Sequence, residues 1–141
     1  RTDQLNKALE KDYSVVLCPR IPMYFDFVQD QEHKVGRRWG KDFSPLELVY
    51  NFSTNNIVDT KYNNQVLGFQ ANLWTETVQT EQRLDFMIFP RISALSEAAW
   101  GQNNDYQDYL KRLESHLELY KKDNLYFFNP LVATDNAEPK K

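Results

Sequence analysis

Two short apolar runs limit what this chain can become. The first, Val15 to Cys18, is bounded by Asp12 and Pro19, and the second runs from Val66 to Leu73. Continuous apolar runs of this length, closed off by turn residues, predict strands covered on both faces, as in a parallel sheet. Gly68 weakens the second run slightly. Helical spacing fills the rest. Thr2 to Asp12 places Leu5, Ala8 and Leu9 on one face. Ser44-Pro45-Leu46-Glu47 reads as a helix start, with Ser44 capping, Pro45 at the first helical position and Glu47 closing a capping box. That helix is expected to reach about Phe52. Thr80 opens another through Leu84, Met87 and Ile88, and Pro90 kinks or restarts it. Ile92, Leu95, Ala99 and Trp100 continue an apolar face up to Gly101, with Trp100 expected in the core. The last helix, from about Asp105 to Lys121, carries Tyr106, Leu110, Leu113, Leu117 and Tyr120 at helical spacing. The order helix, strand, helix, strand, helix, helix predicts βαβ units and a parallel sheet. Two parallel strands cannot close a barrel, so a fragment of a larger α/β domain is one expectation and unrecognised strands are the other.

Charge and composition exclude several classes. Among 141 residues, 17 Lys and Arg face 20 Asp and Glu, which gives no clustered basic footprint for nucleic acid. No apolar run approaches a membrane span, and the opening RTDQLNKALEKDY has no signal-peptide pattern. Cys18 is the single cysteine, which excludes an internal disulfide and reads as a small buried hydrophobe. His33 and His116 stand without neighbouring ligand residues, so no metal is expected. Arg91 and Glu97 are read as a structural charge pair, and Thr134 to Lys141 as a polar, frayed tail.

Each apolar run is followed by an aromatic-x-acid pair: Tyr24 and Asp26 after the first, Trp74 and Glu76 after the second. If the backbone stays extended, residues two apart project to the same side. Both pairs follow strand C-terminal ends, the edge where parallel α/β folds build ligand sites. A ring plane beside a carboxylate suits a sugar, whose C–H face stacks on the ring and whose hydroxyls donate to the acid. Packing plus a solvated charge is the competing reading, and geometry alone does not separate the two.

The stretches VLGFQANLWTE and FPRISALSEAAWG closely resemble the last strand and helix of the family 20 glycoside hydrolases, the β-N-acetylhexosaminidases. VVLCPRIPMYFDF resembles the preceding strand and PLELVYNF the helix between them. The resemblance implies a fragment of a (β/α)8 TIM barrel: the last two β/α units plus a C-terminal helix over 1–132, then a polar tail over 133–141. It also implies residue roles. Tyr24 would steady the substrate's acetamido carbonyl, Asp26 would hold hydroxyls at the far side of the terminal sugar, and Trp74 would wall the acetamido pocket. Glu76 would bind the O4/O6 end. Trp39, within KVGRRWGKDF, falls where many members place a further stacking tryptophan, although its surroundings depart from the commoner pattern.

Members of the family cleave with an adjacent Asp-Glu pair, the Glu acting as general acid and the Asp orienting the 2-acetamido group that attacks the anomeric carbon. No Asp-Glu dipeptide occurs in this sequence. The resemblance therefore implies that the chain supplies substrate-binding residues, contains no catalytic residue, needs no cofactor and is inactive alone. Its expected partners are an N-acetylhexosamine-terminated glycan and the remainder of the parent barrel, with an extracytoplasmic location by family analogy. Uncovered sheet edges and helix faces lead to an expectation of self-association. A non-catalytic carbohydrate-binding or scaffold module is the rival reading, and an unrelated α/β barrel fragment the third.

Overall fold

The computed structural model describes residues 2–37, 43–101 and 105–140. Its elements are α1 (Thr2–Leu9), β1 (Val15–Leu17), a broken helical turn α2 (Arg20–Met23), α3 (Leu46–Tyr50), β2 (Val66–Phe69), α4 (Glu81–Ile88), α5 (Arg91–Trp100) and α6 (Tyr106–Lys122). Two 3-10 turns, Thr54–Asn56 and Thr60–Gln65, lead into β2. β1 and β2 pair in parallel, as the alternation predicts, with Val15 opposite Val66, Val16 opposite Gly68 and Leu17 opposite Phe69. The step between Val15 and Val16 is irregular because β2 carries one extra residue there.

The pairing does not stop at the strand ends. Gln70 N–H donates to the Leu17 carbonyl at 3.0 Å, and Asn72 N–H to the Met23 carbonyl at 2.8 Å. The chain leaves the ladder at Cys18, detours through α2 and rejoins it at Tyr24, which bridges Asn72 in parallel. The detour follows from Pro19 and Pro22, which bring no amide to a ladder. Cys18 is half-buried at this break, and its sulfur accepts from the Asn72 side-chain Nδ2 at 2.8 Å.

Two apolar clusters hold the elements. α3 lies across α5, and Leu46, Val49 and Tyr50 pack with Ala94, Tyr109 and Leu113. A smaller cluster of Leu9, Leu17 and Val58 joins α1 to β1. α6 begins at an effective cap: the Asp105 carboxylate accepts from the Gln107 and Asp108 amides, an arrangement worth about 1 kcal/mol. Thr80 likewise caps α4 through the Arg83 amide. Pro90 gives a fresh start, since α4 ends at Ile88 and α5 opens at Arg91.

Several expectations are corrected. Ser44 does not cap α3. Its hydroxyl is buried and donates to the Pro22 carbonyl at 2.7 Å, which consumes the group a capping box needs. Arg91 and Glu97 do not pair, because six helical positions put them about 120° apart around α5. Arg91 turns inward, and Glu97 takes Arg112 of α6 as its partner. The tail is docked rather than frayed: Glu138 accepts from the Lys34 and Val35 amides at 2.8 Å each, and Pro139 is buried. The strands are not covered on both faces, for Val16 is 51% and Leu67 72% exposed. Trp100, expected in the core, is 88% exposed at the end of α5. Spacing marks a residue as apolar-facing but does not say whether its partner lies in the same chain.

His33 is sandwiched between Phe86 and Phe128, with ring centroids at 5.0 and 4.6 Å. Burial holds its pKa below the ordinary 6.5. Arg83 and Arg91 push the same way, and Glu138 and Asp30 push against it. The unfolded chain therefore takes up this proton at a higher pH than the folded one. The resulting stability is complete above about pH 6.5 and is lost as pH falls through that value toward the folded pKa. His33→Gln is expected to flatten the fall in thermal midpoint between pH 7 and pH 5, and an unchanged slope would refute this.

Candidate site at the C-terminal end of the paired segments

Tyr24 and Trp74 come from the two paired segments and meet at one end of them. Tyr24 bridges Asn72, and Trp74 follows Asn72 by two positions, so their rings lie 6.3 Å apart and tilted by 56°. Trp74 is 48% exposed, a large aromatic surface with little cover.

The acids arrive by a different route from the one extended backbone predicts. Tyr24 to Phe27 is a turn, closed by the Phe27 amide on the Tyr24 carbonyl at 3.2 Å, and Thr75 to Val78 is another, closed at 3.0 Å. Asp26 and Glu76 each sit inside one of these turns. What joins them is Arg37, which the sequence did not single out. Its Nε lies 3.0 Å from Asp26 Oδ2, and its Nη2 donates to Glu76 Oε1. Arg37 is placed by its own backbone: its amide donates to the Asp26 carbonyl at 2.9 Å, and the residue bridges Phe27 in parallel. Gly36 permits this approach. It has φ +144°, and a Cβ there would meet Val28 Cγ1 at 2.7 Å.

The three charged groups differ in access. The side chain of Asp26 is 1% exposed, that of Arg37 26% and that of Glu76 61%. Neither Asp26 oxygen has a well-aligned hydrogen bond among the described residues. Burial pushes the Asp26 carboxyl above the usual carboxylate range. The nearby backbone amides of Asp26 and Trp74 and the Arg37 charge oppose that push, and Glu76 adds to it. Arg91 fixes the turn from below, donating to the carbonyls of Phe25 at 2.6 Å and Phe27 at 2.9 Å on either side of Asp26. Of the predicted site residues, Tyr24, Asp26, Trp74 and Glu76 are thus brought together, and Trp39 lies outside the described residues. Chemically the site offers an aromatic wall, an exposed acceptor and a guanidinium donor. Among the described residues no cluster of His, Cys, Asp and Glu could hold a metal ion, and no helix is long and apolar enough to cross a membrane.

Residues 1–103 match the catalytic domain of glycosyl hydrolase family 20. A β-hexosaminidase of Vibrio vulnificus is 24% identical over 96% of this chain and 18% of its own length. The chitooligosaccharidolytic β-N-acetylglucosaminidase of Ostrinia furnacalis is 30% identical over 70% of this chain and 16% of its own length. Among solved structures, the family 20 exo-β-N-acetylglucosaminidase of Vibrio harveyi in complex with N-acetylglucosamine superposes with a TM-score of 0.81. It is 31% identical, over 94% of this chain and 21% of that one. The family 20 β-N-acetylhexosaminidase of Streptomyces coelicolor superposes at 0.83 with 24% identity, a likeness of fold. This chain therefore spans between about a sixth and a quarter of the length of these relatives, and over that span it belongs to glycosyl hydrolase family 20 as a part of the catalytic domain.

Proposed function

We propose that this chain is the closing portion of a (β/α)8 barrel that removes terminal N-acetylhexosamine from glycans by substrate-assisted, retaining hydrolysis. In this reading Tyr24 and Trp74 wall the acetamido side of the sugar, and Asp26 and Glu76 form the acid end that reads hydroxyls. Trp39 carries, by the family pattern alone, the role of a further stacking ring. The observation that carries the reading is convergence: two segments far apart in sequence bring their aromatic and acidic residues to one end of their parallel pairing. That is the end at which barrels of this kind hold their substrates.

The chemistry needs an Asp-Glu pair that this sequence does not contain, so proton donation and acetamido orientation fall to an earlier part of the parent barrel. The exposed Val16, Leu67 and Trp100 are the surfaces that the rest of such a barrel would cover. The same reading carries an extracytoplasmic location, where glycans with terminal N-acetylhexosamine are met.

The complete protein is expected to release nitrophenol from a nitrophenyl β-N-acetylglucosaminide, and the 141-residue chain alone is expected to release none. Trp74→Ala in the complete protein should lower kcat/KM by about 100-fold, the loss of roughly 2.7 kcal/mol of ring contact. Turnover by the isolated chain would overturn the division of labour. A complete protein that binds N-acetylglucosamine without cleaving the glycoside would favour the carbohydrate-binding module instead.

A further inference from the structure

We propose that the Lys34 and Val35 amides and the Arg83 guanidinium form a preorganised seat for a carboxylate anion, which this chain fills in cis with Glu138 and which takes a small free carboxylate in its place. None of these residues belongs to the candidate site described above.

The donors converge on one carboxylate. Lys34 N–H reaches both Glu138 oxygens, at 3.0 and 2.8 Å, Val35 N–H donates to Oε1 at 2.8 Å, and Arg83 Nη1 donates to Oε1 at 3.2 Å. Two consecutive amides and a guanidinium make a charge-assisted set that favours an ionised, two-oxygen acceptor. Each donor is also held by contacts that do not involve Glu138. The His33 amide closes a turn on the Asp30 carbonyl at 3.2 Å, and the Asp30 carboxylate accepts from the Glu32 amide at 2.9 Å. On the other side, Arg37 N–H is tied to the Asp26 carbonyl at 2.9 Å. Lys34 and Val35 lie between these two anchors. Arg83 comes from α4 and is fully buried. It donates to the Val35 carbonyl at 3.2 Å, and its guanidinium carbon lies 5.7 Å from the centroid of the Phe86 ring. Arg83 Nε has no hydrogen-bond partner among the described residues, so the guanidinium has donor capacity to spare.

The occupant arrives from a separate segment that is held at few points. Residues 131–135 are exposed, and of residues 131–140 only Pro139 is buried. Several of the segment's bonds stay local: Asn129 to Asp135, Asn136 to the Phe127 carbonyl and Tyr126 to the Ala137 carbonyl. The Glu138 carboxylate and the Pro139 carbonyl, which accepts from Arg83 Nη2, bind it to the loop and to α4. The Glu138 side chain is 18% exposed, so the seat opens to water. A tethered carboxylate outcompetes a free one through its effective concentration. Removing it leaves the donors in place and the seat open to an anion from solution.

The test uses Glu138→Ala in the complete protein, with acetate as the probe, because acetate carries the carbons that this substitution deletes. Thermal midpoints of the variant and the wild type are measured in sodium acetate, in sodium chloride at equal ionic strength and in acetamide. Backbone hydrogen exchange over residues 33–37 is followed by mass spectrometry. Acetate is expected to raise the variant's midpoint saturably, by about 4 °C or more beyond its effect on the wild type, as a ligand of the folded state does. Comparison with the wild type removes the general effect of salts on burial. Exchange at Lys34 and Val35, accelerated by the substitution, should slow again in acetate. Chloride and acetamide should do neither. An acetate effect of equal size in variant and wild type, or one matched by chloride or acetamide, would overturn the proposal. So would a raised midpoint with exchange over residues 33–37 unchanged, which would put the anion elsewhere. If Glu138→Ala does not fold in chloride, folding restored by acetate and not by acetamide is the supporting result, and no folding in either is the refuting one.

Discussion

Replacing Arg91 with Met is expected to remove cooperative folding, or to lower the thermal midpoint by more than 10 °C (about 3 kcal/mol or more). Arg91 is completely buried and has no carboxylate in hydrogen-bond contact among its partners. Backbone carbonyls hold it instead: Phe27 at 2.9 Å, Ser44 at 3.1 Å, Phe25 at 2.6 Å and Met87 through Nε at 3.2 Å. Its guanidinium also lies 4.5 Å from the centroid of the Phe25 ring. Burial pushes its pKa down to about 9, against the pull of Asp26, so it stays charged at neutral pH. Met would fill most of the volume yet leave buried acceptors without donors. Each orphaned carbonyl costs about 1–3 kcal/mol, and three from distant segments together approach the whole stability of a domain, about 5–15 kcal/mol. Arg91→Lys should fall between the two, since an ammonium satisfies fewer acceptors from one point. Circular dichroism melts decide the matter, and an Arg91→Met variant melting like the wild type would show that the carbonyl cage is dispensable. The consequence reaches the site, because the Phe25 and Phe27 carbonyls belong to the turn that presents Asp26.

Arg91 also shows where the sequence stops being legible. Arg91 and Glu97 both belong to the family pattern, and from it the expectation is a structural charge pair. The true partners of Arg91 are carbonyls in three other segments, and a backbone acceptor leaves no trace in residue identity. Arg37 escaped notice for a different reason: its carboxylate partners Asp26 and Glu76 lie on separate turns, and nothing local requires an arginine there. Local signals did better. Thr80 and Asp105 cap the helices they introduce. The two apolar runs became parallel strands, and the first ends at Leu17 because Pro19 and Pro22 break the regular ladder. Ser44 carried the same kind of local signal and failed, because the buried Pro22 carbonyl competed for its hydroxyl. The rings of Tyr24 and Trp74 lie 6.3 Å apart at the end of the paired segments that they follow in sequence. Extended alternation was the wrong reason for the acids, which are set by turns.

Glu138→Ala is expected to lower the thermal midpoint by about 10–20 °C, the effect of roughly 3–5 kcal/mol. The Glu138 carboxylate does three things at once. It accepts from the Lys34 and Val35 amides, and it pairs with Arg83 Nη1 at 3.2 Å. Arg83 is fully buried, and its other side-chain hydrogen bonds among the described residues go to carbonyls: Val35 at 3.2 Å and Pro139. Without Glu138 a buried cation loses its only carboxylate partner among the described residues. The backbone of Lys34 and Val35, just before Gly36 and Arg37, loses its acceptor as well. The pH dependence has a definite sign. Burial acts to raise the Glu138 pKa, but the two amides and Arg83 outweigh it and hold the carboxyl below its ordinary 4.5. The stability it provides is therefore complete above that value and is lost as pH falls through the folded pKa. This acid loss begins at a lower pH than the one assigned to His33 and should vanish in Glu138→Ala while the His33 step persists. Arg83→Met in the Glu138→Ala background removes the uncompensated charge but leaves the Val35 and Pro139 carbonyls without a donor, so its further cost should be smaller than that of Arg83→Met in the wild type. A Glu138→Ala midpoint within about 2 °C of the wild type would sink the idea that this C-terminal segment secures the loop carrying Arg37. A confirmed loss, with KM raised in the complete protein as well, would tie that segment to the candidate site through Val35, Gly36 and Arg37.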